Sequence, residues 1–99
     1  MFVVIHHSIT DPQKWNEITG KIGPMVEHGQ LPKGLNALCY LPSTDDRRAD
    51  CLWEADSLEN LKRFLDPMIS TAARNEYFQV NVEHAFGLPA NTQQRVAVH

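Results

Sequence analysis

The sequence predicts an α+β domain in the order β-α-β-β-α-β, and three observations predict it. Four β-favouring apolar residues, Phe2 to Ile5, run directly into a helix start at "TDPQKW". Two short β-rich segments, "LNALCYL" and "ADCLWEA", are separated by a polar turn region beginning "PSTDD". Last, a capped amphipathic stretch, "ADSLENLKRFLD", is followed by a sharply alternating one, "YFQVNVEH".

The first strand covers about residues 2 to 8. Asp11 is then the N-cap of the first helix. Pro12 takes its first position, where a missing N–H costs nothing. Trp15, Ile18, Ile22 and Met25 or Val26 recur at spacings of three and four and form its apolar face. Gly20 weakens this helix, Gly23-Pro24 is expected to kink or end it, and "EHGQLPKG" reads as a loop. Leu35 to Leu41 and Ala49 to Ala55 form the second and third strands, joined as a hairpin through the self-neutralising turn sequence "DDRR". For the second helix, Asp56 with Glu59 forms a capping-box pattern and Ser57 is the neighbouring alternative cap. Leu58, Leu61, Phe64, Leu65 and Met68 make its stripe, and Pro67 is expected to break it. "MISTAARN" reads as a turn or short helix. Tyr77 to His84 is the fourth strand, with Phe78, Val80 and Val82 on its buried face. Residues 1–87 form one domain, and 88–99 are a polar tail, disordered or packed on a partner subunit.

At 99 residues there is room for one core only, and a chain of this length buries roughly two-thirds of its unfolded surface. Apolar content of 42% and charged content of 21% are those of an ordinary globular domain. A net charge of −3 with scattered Lys and Arg argues against a nucleic-acid partner. No segment approaches the apolar length of a membrane span, and the start lacks a basic leader. With Cys39 and Cys51 twelve positions apart and no CxxC, reduced cysteines in a cytoplasmic protein are expected. GxGxxG, GxxxxGK, HExxH and GxSxG are all missing, which argues against a nucleotide-dependent enzyme or a common hydrolase.

The element order is the split βαβ signature of the ferredoxin-like fold, a four-stranded antiparallel sheet with two helices on one face. On the other face Leu38, Tyr40, Leu52 and Val4 are expected among Asn36, Glu54, Gln79, Asn81 and Glu83. A mixed face of this kind suits a second subunit stacked across it as a homodimer, with a cavity between.

Residues 1 to about 87 resemble the dimeric α/β-barrel superfamily, which includes cofactor-independent monooxygenases, stress-responsive proteins and many uncharacterised bacterial proteins. "CLWEADSLENLKRFL", residues 51 to 65, is similar to the strand-and-capped-helix segment of several small bacterial families. A nickel-binding family lies in the same neighbourhood. Members that degrade haem use a strand Asn, a Trp and a His on the second helix. Ser57 to Asp66 holds no His, so that activity is not expected.

Adjacent strand residues point to opposite faces, so His6 and His7 cannot share one ion. Alternation alone leaves either phase open, and the resemblance favours His6 on the open face. The topology expected for this fold places the first and third strands side by side and parallel. Glu54, Tyr77 and Gln79 then lie near His6, with Asn36 one strand further out. His6 with Glu54 is a candidate base and orienting partner. Asn36, Tyr40, Tyr77, Gln79 and Asn81 are candidate ligand-binding groups in a cavity with apolar walls. The expected function is binding of a small organic molecule, with monooxygenase- or isomerase-like chemistry and no cofactor; whether the protein is an enzyme stays open. The alternatives are a structural dimerisation protein or a metal-binding module. In the latter, His6 and His84, about 13 Å apart within one subunit, would come from two subunits. Trp15 and Trp53 are expected in the core, and both cysteines are expected to pack without a neighbouring base.

Overall fold

The computed structural model describes residues 1–89. Six elements follow in the expected order: β1 (Phe2–Ile9), α1 (Pro12–Glu27), β2 (Leu35–Pro42), β3 (Arg48–Ala55), α2 (Leu58–Ile69) and β4 (Ala73–Gln79). The sheet order is β2-β3-β1-β4, and every neighbouring pair is antiparallel. This is a ferredoxin-like α+β fold. Most of the expected tail, residues 90–99, lies outside the described residues.

The expectation that β1 and β3 run parallel is overturned. α1 carries the chain back, so β2 runs parallel to β1, and the tight hairpin then sends β3 against both. Phe2 consequently faces Glu54, and His6 faces Asp50.

Asp11 caps α1, its carboxylate accepting from the Lys14 N–H at 3.1 Å. α1 continues through Pro24 to Glu27, beyond the expected stop. Pro24 lies within the last four residues, so it forfeits one backbone bond without interrupting a long run. The helix ends instead in a Schellman motif. Gly29 takes φ +64°, its N–H bonding the Val26 carbonyl (3.3 Å), and the Gln30 N–H bonds the Met25 carbonyl (2.8 Å). Ser57 is the cap of α2, accepting from the Asn60 N–H at 3.0 Å, while Asp56 accepts from the Asn60 side chain. Pro67, like Pro24, sits in a last turn and does not break its helix.

Two strand phases differ from those expected. The β2–β3 register shifts between Ala37 and Cys39, a bulge at Leu38. One extra residue inverts the alternation beyond it. Tyr40 therefore pairs with Cys51 on the helix-covered side, and Cys39 pairs with Leu52 on the open side. β4 runs from Ala73, not Tyr77, and stops at Gln79 because β1 begins at Phe2, whose carbonyl takes the last bond, from Val80. In this register Ala73, Asn75, Tyr77 and Gln79 share the side of Val3, Ile5 and His7. Phe78 points to the open face.

The core lies between one sheet face and the helices. Val3 and Ile5 of β1 pack with Trp53 and Ala55 of β3, Trp15 and Ile18 of α1, and Leu61, Leu65 and Ile69 of α2.

Candidate functional site

β1 sends its two histidines to opposite faces, as strand alternation requires. His6 is on the open side, where its Nδ1–H donates to Asp50 Oδ1 at 2.7 Å. The expected His6–Glu54 pair does not form. Glu54 is four register positions along the strand, about 13 Å at the usual strand rise. Asn36 is beside Glu54 on the open face. Gln79 is exposed at the end of β4. Asn81 lies past β4, its side-chain oxygen accepting from the Glu83 N–H, and the His84 N–H bonds its carbonyl. Tyr77 faces the helices, and its hydroxyl donates to Asp66 at 2.6 Å. Burial, reinforced by that carboxylate, holds the phenol protonated.

Among the described residues, His7 is the one polar side chain that is buried, only 2% exposed. Three neighbouring strands supply a row of polar groups around it, on one sheet face. Asn75 of β4 is its register partner, and the Asn75 amide nitrogen donates to the Ala73 carbonyl at 3.1 Å. That bond turns the Asn75 oxygen toward His7 Nδ1, 2.5 Å away. Since a carbonyl oxygen only accepts, Nδ1 carries the imidazole proton. Nε2 is left with its lone pair, and Cys51 Sγ of β3 lies 3.0 Å from it and donates its thiol proton.

Both partners are neutral. Burial lowers the His7 pKa below its ordinary value near 6.5, outweighing the opposing Asn75 bond and Asp50 charge. Burial pushes the Cys51 thiol up to about 12. Trp15 of α1 packs against the imidazole, ring centres 4.7 Å apart, and its indole N–H donates to the Tyr40 hydroxyl at 2.9 Å. Tyr40 accepts there, so its own O–H is available to a further acceptor.

These groups stand at the wall of a cavity of about 370 Å³ between α1 and the sheet. Ile18 and Ile22 of α1, Trp53 of β3, and Leu65 and Ile69 of α2 make the lining largely apolar, and Val26 and Glu27 are exposed at the end of α1.

No family model matches the chain, and no curated protein or solved structure matches it. The chemistry of the site must be read from its own groups. Among the described residues, no three His, Cys, Asp or Glu side chains converge as a metal site would require. No helix among them is long and apolar enough to cross a membrane. Of the expected ligand-binding residues, only Tyr40 reaches the cavity.

Sequence reasoning missed His7, Asn75 and Cys51 as a unit. His7 shares strand parity with Val3 and Ile5, a polar residue among core positions, and that was the available signal. Asn75 fell in a segment read as a turn. Cys51 lacked a base only because the β1–β3 register was misplaced.

Proposed function

We propose that this protein binds a small, mainly apolar organic molecule in the cavity between α1 and the sheet. It moves a proton on that molecule with His7, without a cofactor. One observation carries the reading: a neutral imidazole at an apolar cavity wall, its Nδ1–H fixed by Asn75, so that Nε2 is the basic atom. The thiol at Nε2 is a weak donor, which an acidic O–H or C–H of a ligand can replace. The candidate base is thus His7 in place of His6. Ile22→Trp, which fills the cavity from α1, is expected to weaken binding of 4-phenyl-2-butanone at least about tenfold. Quenching of tryptophan fluorescence in the native chain, with isothermal titration for the variant, measures it. Unchanged affinity would place the ligand elsewhere.

We further propose that the chain belongs to the dimeric α/β-barrel superfamily, resides in the cytoplasm and pairs through its open sheet face. The element order supports the first, and two free cysteines on opposite sheet faces support the second. For the pairing, the support is apolar exposure: Phe78 is 55% and Leu41 63% exposed on that face, near the partly buried Val4 and Leu52. Phe78→Glu is expected to convert a dimer to a monomer in sedimentation velocity runs. A wild-type monomer at high protein concentration would end this part of the proposal.

A further inference from the structure

We propose that Cys51 is a nucleophile, adding its sulfur to an α,β-unsaturated carbonyl compound in the cavity, with His7 as its base and Asn75 as a positioning residue. This rests on the cavity reading above and names the class of molecule that the site would take.

A nucleophile of this kind needs a base within hydrogen-bond reach and a third group that orients the base. Cys51 Sγ lies 3.0 Å from His7 Nε2, and His7 Nδ1 lies 2.5 Å from Asn75 Oδ1. The Asn75 amide is itself pinned to the Ala73 carbonyl, so the orientation is fixed one step further out. Packing alone would not call for this row, since apolar side chains fill such a position without polar groups to satisfy. Cys39 is the contrast: it is on the neighbouring strand, partly buried like Cys51 and also at the edge of the cavity, but its cross-strand partner is Leu52 and no imidazole is bonded to it.

The neutral state of the pair selects the reaction. A thiol held protonated by its partly buried surroundings cannot wait as a free thiolate, so its proton must leave as the new bond forms. Conjugate addition fits. The S–H bond breaks and its proton moves to His7 Nε2, while sulfur bonds to the β-carbon. The alkene electron pair shifts to the α-carbon and carbonyl oxygen as an enolate. The proton on Nε2 then passes to the α-carbon. Hydrogen and sulfur have added across the double bond, and His7 ends neutral. No leaving group, oxidant or reductant is needed, and water is not a reactant. The Tyr40 O–H supplies a donor for the developing enolate oxygen. Tyr40 is the direct cross-strand partner of Cys51 and is fixed by the Trp15 N–H.

The test uses the full chain with 4-phenyl-3-buten-2-one, followed by intact-mass spectrometry and peptide mapping. One adduct per chain is expected, on Cys51, forming about a hundredfold faster than on Cys39 of the same folded protein. His7→Gln should remove that advantage. Asn75→Asp should keep it but move the acidic limb of the rate profile to higher pH, because a carboxylate favours the imidazolium. An acidic limb left in place would mean that the rate does not depend on the protonation of His7, and would overturn its role as the base. Reaction at Cys51 no faster than at Cys39 overturns the proposal, whether or not any variant folds. So does an undiminished rate in folded His7→Gln. The saturated analogue 4-phenyl-2-butanone separates the two readings. Saturable binding without an adduct from the enone sinks the nucleophile alone, and loss of both binding and adduct sinks the cavity reading with it.

Discussion

Leu61→Ala is expected to lower the unfolding free energy by about 2–5 kcal/mol, a large part of what a domain of this size possesses. Leu61 is fully buried on the face of α2 that meets the sheet, and it does not border the cavity. Removing it deletes apolar burial and leaves a new void that close-packed neighbours only partly refill. Leu65 is as deeply buried but already borders the cavity. Leu65→Ala therefore enlarges an existing space, leaves fewer packed neighbours unsupported and is expected to cost less. Urea denaturation of both variants gives the comparison. Equal losses would mean that the space beside Leu65 collapses or fills in solution, which would weaken the case for a ligand cavity there.

The contrast between these two leucines shows what a sequence can and cannot carry. Both stand on the apolar stripe of α2, and helical spacing placed them in the core. That spacing is local information, and so are the caps at Asp11 and Ser57. The same is true of the alternation that separates His6 from His7. What failed was information shared between distant segments. The bulge at Leu38 inverts Tyr40 against expectation, yet "NALCYL" contains no Gly or Pro to announce it. β4 alternates cleanly over Tyr77 to His84. Its pairing, however, is limited by where β1 begins, and the useful strand starts four residues earlier. The two proline expectations failed for a milder reason: a proline near the end of a helix removes one bond, whereas one in the middle also disrupts the turns on either side of it.

The candidate site suffered most, because its contacts join residues 44 and 68 positions apart. The misjudged direction of β3 moved Glu54 next to His6 and Cys51 away from His7, so a single topological error replaced one site by another. The antiparallel register leaves His6 with Asp50 on an exposed strand pair, a contact whose contribution to stability is small. It gives His7 a base's environment: buried, oriented and neutral.

That environment has a consequence for stability. The protein is expected to lose stability as the pH falls below about 6.5, the ordinary histidine value, and His7→Gln is expected to flatten that part of the curve. Folding lowers the His7 pKa. Above 6.5 the imidazole is neutral in both states and contributes no pH dependence. Below it the unfolded chain takes up the proton while the folded chain still resists, so the equilibrium shifts toward unfolding until the folded-state value is also passed. The opposite slope would require a folded-state pKa above 6.5, as a buried carboxylate partner would give. Asn75 offers only a neutral carbonyl oxygen, and it accepts a proton that His7 already carries. Asn75→Leu should add a separate, pH-independent loss of about 1–3 kcal/mol, because the Nδ1–H is left buried without an acceptor. Denaturation midpoints from pH 8 to pH 4.5 for wild type and both variants test all of this. A wild-type curve as flat as that of His7→Gln would mean that the imidazole is not held neutral by burial. The neutral base on which proton transfer and thiol activation both depend would then be lost.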